Sequence, residues 1–296
     1  MNERRPLDSL QVFCGASNHN VAQVYCGLPG QLAAGAVLRG SIRGPDSSLT
    51  HTLPATVDVE SLGADPSPLA RATVVDPCYW APGRPYLYHV ELELVLDGRV
   101  IDHVQRTIGL RTTGVIGATM RLSFSPWTLR GVRMSPSLSC EPTGWREMKL
   151  AQVWSSITEE TCRTTSVEGI PVILSLSCDR SECESALQRL ARWPSVVLVV
   201  IDCPEPLDNS LQSAAPNLLL GKRLMVEQSF DVPSWAHLGV CDTNVADNHP
   251  QVRDVAFPLI LTAASEPFHD LADAVSVLDQ LQQEADPQRR LAGMIV

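Results

Sequence analysis

Lysine is nearly missing from this chain: Lys149 and Lys222 are the two among 23 basic residues, and the rest are arginines. That reads as a genome's compositional bias rather than a functional device. Acidic residues number 33, so the net charge is −10 and the isoelectric point is near 5.1. Such a balance argues against nucleic acid or an anionic membrane as the main partner, because both need a basic surface. Long apolar runs are missing too. None approaches the ~18 consecutive residues of a transmembrane helix. The opening MNERRPLDSLQVFCG has no apolar stretch of roughly 7–15 residues, so no signal peptide is expected and a cytoplasmic setting is.

Several kinds of chemistry are absent as motifs. There is no G-x-S-x-G and no Walker loop. GSIRG, from Gly40 to Gly44, lacks the Lys-Ser/Thr of a phosphate loop and sits in a β-rich region. The nine cysteines are scattered without a C-x-x-C. They read as reduced, buried or half-buried thiols, with Cys178 and Cys183 the closest pair. His237, His249 and His269 are not spaced for a metal, so neither metal nor cofactor is expected.

Two patterns are present, one in each half. Up to about residue 110, short β-prone runs (8–14, 34–43, 51–60, 69–75, 86–96 and 99–110) are divided by Gly, Pro, Asp and Ser. The clearest is YLYHVELELVLDGRVIDHVQRTIGLR. Its strict alternation gives one buried and one wet face, and Asp97-Gly98 suits a tight hairpin turn. This spacing predicts a β-sandwich. Beyond residue 128, apolar runs alternate with helical patterns. Strands are expected at 129–133, 151–154, 171–176, 196–202, 223–227, 237–241, 257–262 and 291–296. Amphipathic helices are expected at 182–192, with Ser181 and Glu184 as a capping box, and at 268–285. Strand and helix in alternation imply parallel βα units, and eight strands permit a closed barrel. Residues 129–296 are few for a barrel that typically takes ~250. The expected architecture is therefore an immunoglobulin-like β-sandwich over 1–114, followed by a compact or incomplete (β/α)8 TIM-type barrel over 115–296.

Residues 76–111, DPCYWAPGRPYLYHVELELVLDGRVIDHVQRTIGLR, resemble the end of the sandwich in glycoside hydrolase family 2, the β-galactosidase and β-glucuronidase type. There a Trp-x-Pro-x-x-Pro-x-Leu-Tyr stretch leads into a Gly-turn hairpin and closes with Gly-hydrophobic-Arg. Trp80, Pro82, Pro85, Leu87, Tyr88, Asp97, Gly98, Gly109 and Arg111 match. LRGVRM (129–134), EGIPVILSL (168–176), RWPSVVLVVIDCPEP (192–206), FPLILTAAS (257–265) and LAGMIV (291–296) resemble barrel segments in the family's order.

The resemblance implies a retaining mechanism run by two glutamates, one at the tip of strand four and one at the tip of strand seven, with carboxyls about 5–5.5 Å apart. Here the strand-seven register, set by Pro258 and Thr262, puts Ala263 at the nucleophile position. Glu266 follows three residues later, where a helix start favours a carboxylate in any case. At strand four the acid/base position falls on Pro204, with Cys203 at the preceding Asn, and Glu205 lies one residue beyond. Arg133-Met134-Ser135 stands where the family tends to carry Asn-Arg-His. Asp202, Trp154, Asp242 and Asn244 are candidate ligand contacts, with His249 on the same loop as the last two. The chain thus reads as a family 2-like protein without its nucleophile, with a carbohydrate-binding or scaffolding role. A hydrolase with relocated carboxylates is the alternative, with Glu205 as acid and Glu266 or Asp242 as partner. A purely structural or protein-interaction module is the third reading.

Overall fold

Seven strands form an antiparallel sheet: β1 (Gln11–Ser17), β2 (Val21–Gly27), β3 (Val37–Asp46), β4 (Ala55–Ser61), β5 (Ala70–Val75), β6 (Leu87–Leu96) and β7 (Arg99–Ile108). Their spatial order is β1-β2-β5-β4-β3-β6-β7. The structure, a computed structural model, describes residues 5–28, 35–63, 69–225, 231–248, 257–284 and 291–296. β4 pairs with β3 through Ala55–Val59 and with β5 through Glu60 and Ser61. It therefore changes partners along its length and folds the sheet over on itself, as corner strands do. One core fills the fold: Ala22, Val24, Ala72 and Val74 from one side meet Leu38, Ile42, Val90 and Leu92 from the other.

The alternation read in 87–96 holds. Tyr88, Val90, Leu92 and Leu94 are buried, while His89 and Glu91 are exposed. Asp97 and Gly98 both take positive φ, 50° and 76°, the geometry a two-residue hairpin requires. β2 was not expected. Its VAQVYCG alternates, but Gln23, the alanine and the glycine dilute the β signal.

A small sheet follows, with β8 (Thr113–Ile116), β9 (Thr119–Leu122) and β10 (Ser125–Pro126) in the order β10-β9-β8. The expected boundary at residue 114 falls inside β8. Next come eight parallel strands that close on themselves: β11 (Leu129–Arg133), β12 (Ala151–Trp154), β13 (Val172–Ser177), β14 (Val196–Asp202), β15 (Leu219–Leu224), β16 (Leu238–Asp242), β17 (Leu259–Thr262) and β18 (Leu291–Ile295). β18 pairs with β11 to complete the barrel.

The helical layer is thin. The helices α1 (Pro142–Glu147), α4 (Ser210–Ala214) and α5 (Thr243–Asn248) have six residues or fewer, against ten or more in α2 (Glu159–Glu168), α3 (Arg180–Leu190) and α6 (Leu271–Glu284). No helix joins β15 to β16 among the described residues. That economy is how the barrel closes in so short a stretch. No helix among the described residues is long and apolar enough to cross a membrane.

Four sequence expectations shift. Strand five begins at Leu219, not 223, because Leu198 and Leu219 set the pairing with β14. Gly221-Lys222 had broken the apolar run, and residues 226 and 227 lie outside the described ones. α3 starts at Arg180 with Asp179 as its cap, which puts Ser181 inside the first turn rather than at a capping box. α6 starts at Leu271, not 268, and the Asp270 carboxylate accepts the Asp273 N–H at 2.9 Å. Finally, Cys178 and Cys183 are not free thiols. They form a disulfide, Cα atoms 5.9 Å apart, because the end of β13 turns straight into α3.

The family-like stretch lies on the seam between sheet and barrel. Trp80 is fully buried, and its indole N–H donates to the Ser166 carbonyl at 2.9 Å. Arg111, 2% exposed, donates to the carbonyls of Pro194 and Asn217. A Cβ at Gly109 would stand 2.6 Å from Pro194 Cβ and 2.8 Å from Trp80 Cβ, so only glycine permits this approach. Truncating Trp80→Ala is expected to cost about 3–5 kcal/mol in urea denaturation, the range for a buried aromatic.

At the edge of the sheet the Asp102 carboxylate is 6% exposed. Burial alone would raise its pKa, but hydrogen bonds from the Leu7 and His103 N–H groups and from Arg5 hold it below the ordinary value. The unfolded chain therefore binds this proton first as pH falls. The stabilisation is complete above the unfolded value of ~3.9 and is lost as pH drops through the native one. Asp102→Asn should thus be less stable than the parent at pH 7, with the gap narrowing below about pH 4 in parallel denaturation series.

Candidate functional site at the barrel mouth

Side chains alternate along each barrel strand, so the lumen can be read by parity. Leu129, Ala151, Val153, Ile173, Leu198, Val200, Leu219, Leu238, Val240, Ile260 and Ile295 share one interior cluster. A Cβ on Gly131 or Gly221 would press on that cluster's side chains. Two residues further along, at the C-terminal ends, the same parity brings Arg133, Ser175, Ser177, Asp202, Arg223, Asp242 and Thr262 to the mouth. This is the end where barrel proteins keep their sites.

Arg133 is half-buried, and its guanidinium donates to the Ala263 carbonyl at 2.7 Å. Burial lowers its pKa; nearby Arg223 lowers it further, and Asp242 works in the opposite sense. These three charges therefore share one neighbourhood. Asp242 Oδ1 also accepts the Asn244 N–H at 2.9 Å, which fixes the carboxylate at the start of α5. Thr262, level with Asp242 in the β16–β17 register, is 3% exposed.

The residues singled out from the sequence fall into three groups. Asp242 sits with the arginines, Asn244 is next to it, exposed in the first turn of α5, and Asp202 lies at the tip of β14, exposed. Glu205 and Glu266 lie on exposed loop segments, and neither forms a side-chain hydrogen bond or ion pair among the described residues. Glu266 precedes α6 by five positions, so it is not in that helix's first turn; Asp273 is. Trp154 faces away from the lumen. It packs with the outer cluster around Leu174 and Leu187 and donates its indole N–H to Gln152 at 3.1 Å. His249 lies outside the described residues.

Arg223 was missed because the fifth strand was placed four residues late. Its signal was present: an arginine two positions after a lumen-facing glycine. The sequence reading had registered Arg133 only as a departure from pattern.

The strand-seven tip is the decisive position. Ile260 faces the lumen, and parity puts Thr262 there too. Ala263 falls on the other face, 9% exposed, in an apolar cluster with Val132, Trp145, Leu271 and Ala274. A glycosidase's general acid needs a carboxyl shielded from water, as a lysozyme-type glutamate is. Asp202, Glu205 and Glu266 are all exposed. Among the described residues no group of His, Cys, Asp and Glu is arranged to hold a metal ion.

Residues 21–111 match the family model of glycosyl hydrolases family 2. That segment covers six of the seven strands of the sandwich-like sheet and ends at the seam arginine. No curated protein matches the sequence. Among solved structures, the fold is similar to a glycosyl hydrolase family 2 member from Bacteroides cellulosilyticus, with TM-score 0.61 and 15% identity over 97% of this chain and 44% of that one. It is similar to the β-glucuronidase of Bifidobacterium dentium solved with coumarin-3-O-glucuronide (TM-score 0.60, 14% identity, 97% of this chain and 59% of that one). A β-D-glucuronidase from Dictyoglomus thermophilum gives 0.61, 14%, 97% and 61%. At such identities the likeness is one of fold, and this chain spans between about two fifths and three fifths of each of those structures.

Against the family 2 pattern, a glutamate installed at 263 on this backbone would meet the apolar cluster, not the lumen. Ala263→Glu is accordingly expected to destabilise the fold by about 1–3 kcal/mol, measured by chemical denaturation.

Proposed function

We propose that this chain is a family 2-like protein that holds a carbohydrate at the barrel mouth without hydrolysing it. In this reading the antiparallel sheet is the immunoglobulin-like sandwich, and the eight parallel strands are a reduced (β/α)8 barrel. The observation that carries the proposal is the tip of β17, where the lumen-facing side chain is Thr262 and Ala263 is packed outward. Retaining hydrolysis requires two carboxyls facing each other about 5–5.5 Å apart, and inversion requires about 6.5–9.5 Å. The mouth instead brings Asp242 together with two guanidiniums, while its other strand-tip carboxylate, Asp202, is exposed. Arginine and aspartate are suited to binding sugar hydroxyls and acidic groups, since both make strong charge-assisted hydrogen bonds. The β-glucuronidases of similar fold make uronic acids the first ligands to try.

Two assays test this. Purified protein should release no 4-nitrophenol from aryl β-galactoside or β-glucuronide above the protein-free rate, and Ala263→Glu should not create activity. Turnover that Glu205→Gln abolishes would establish the relocated-carboxylate hydrolase instead. In parallel, calorimetric titration with glucuronate should give binding that Asp242→Asn or Arg223→Gln weakens roughly tenfold, the worth of one charged hydrogen bond. An affinity insensitive to both substitutions would remove the mouth from consideration.

A further inference from the structure

A free thiol stands beside the disulfide at the C-terminal end of the barrel. Cys178 follows the last residue of β13, and Cys203 follows the last residue of β14. Those last residues, Ser177 and Asp202, are a register pair of the parallel ladder. Cys178 and Cys203 are therefore the next step on adjacent strand ends, and neighbouring strands lie about 4.8 Å apart. That spacing is inside the Cα range of a disulfide, roughly 4.4–6.8 Å. Parity turns both residues away from the lumen. Both pack on the outer cluster that contains fully buried Cys183. Cys178 is bonded to Cys183, and Cys203 is free. Cys162, on α2, belongs to the same cluster. Burial pushes its thiol up to about 11, so it stays protonated and is no nucleophile.

The bridge is a weak staple. Its cysteines are five residues apart, and so short a loop removes little freedom from the unfolded chain. Cys178 is half-buried rather than sealed in the core, and accessible bridges are the labile ones. A released Cys183 would lie among Leu174, Leu187 and Val199, surroundings that suit a neutral thiol. The bridge also borders the mouth. Loop 203–209 begins at Cys203, directly after Asp202 at the tip of β14. Arg180, the first residue of α3, holds that loop by donating to the Pro206 carbonyl at 3.0 Å and to the Asp208 carboxylate at 2.6 Å.

We propose that Cys178 carries a two-position disulfide, with Cys183 and Cys203 as its alternative partners. The Cys203 thiol gives its proton to solvent, and the thiolate attacks Cys178 Sγ. The bond from Cys178 to Cys183 breaks, a bond from Cys178 to Cys203 forms, and Cys183 leaves as a thiolate that takes up a proton. One bridge replaces another, so neither oxidant nor reductant is consumed. In the first position the start of α3 is clamped to β13, and the loop at the mouth is held only through Arg180. In the second the loop is pinned at its first residue and the start of α3 is released.

Peptide mapping of the folded full chain, alkylated and then digested with trypsin without reductant, reads the linkage. Arg163, Arg180, Arg189 and Arg192 put Cys162, Cys178, Cys183 and Cys203 on four separate peptides. In a glutathione redox buffer at about pH 8, where an ordinary thiol is partly ionised, the parent should yield both the 178–183 and the 178–203 peptides. Cys203→Ser should lose the second. Cys183→Ser should carry 178–203 alone. Amide exchange across 203–209 should be slower in Cys183→Ser than in Cys203→Ser. The parent reading needs no substitution, so a variant that misfolds does not spare the proposal. It is overturned if the parent gives no 178–203 peptide, or if a folded Cys183→Ser leaves both remaining thiols open to alkylation. Linkage of Cys178 to Cys162 or to exposed Cys140 as often as to Cys203 also overturns it, as random scrambling. Equal exchange rates in the two variants overturn the pinning of the loop.

Discussion

The close approach of Gly109 to Pro194 and Trp80 is the contact on which the two halves of the molecule depend. With no side chain at 109, the end of the sheet lies directly on the turn that leads into β14. Everything else at the seam follows from that distance. The Trp80 indole reaches the last turn of α2, and the Gly83 N–H donates to Gly169, the left-handed residue that ends the same helix. The Arg111 fork spans the carbonyls of Pro194 and Asn217, and so ties the start of β14 to the approach to β15. Burying a guanidinium with no carboxylate is costly. A planar fork with several donors can bridge two chain segments where a lysine could not. Behind it, Ser195 shares hydrogen bonds with Thr165 and Ser166, which closes a buried hydroxyl cluster.

From the seam inward, the barrel is a packing problem with little helix to help. Trp80, Leu87 and Met120 join the lumen cluster from outside the barrel strands and fill its lower end. Higher in the lumen, glycines at 131 and 221 leave room for Val153, Ile173, Leu198 and Val240. Only above those layers does the interior become polar. Among the described residues the mouth is a set of strand tips above that packed interior. The loops 203–209 and 264–270 stand largely exposed. This is why Glu205 and Glu266 are in solvent.

How far this was legible in the sequence depended on what each segment's neighbours demand. β6, β7 and most barrel strands were readable because burial on one or both faces writes a period into the residues. The seam was readable as a string of unusual residues, although the string could not say that its purpose is contact with the barrel. β2 was hidden by glutamine, alanine and glycine, whose strand status comes from pairing with β1 and β5 on either side. The fifth barrel strand was displaced because Gly221 packs the lumen and interrupts the apolar run that marks a strand. At the site, Asp242 stood out in the sequence as a polar group after strand six, and strand parity puts it at a lumen-side tip. Trp154 was placed at a strand end, but the face it takes depends on one step of parity. The arginine pair emerged only once strand register was known.

The same parity changes what the alanine at strand seven means. Taken as a sequence, FPLILTAAS reads as a strand whose functional group has been deleted. In the fold, Ala263 is a packing residue: it belongs to a buried cluster with Val132, Trp145 and Leu271, and its carbonyl accepts from Arg133. Removing a carboxylate would leave a site otherwise poised for catalysis. Here the backbone at that point is engaged with its neighbours on both sides, by a β-ladder bond from its N–H to Ile295 and by the Arg133 contact at its carbonyl. Reversing the face of residue 263 would disrupt both. The side chain at 263 is thus kept out of the lumen by the local register as well as by residue type, and a single substitution changes only the second of these. The apolar body of β17 is held by the barrel, whereas nothing in barrel closure requires a carboxylate in the mouth.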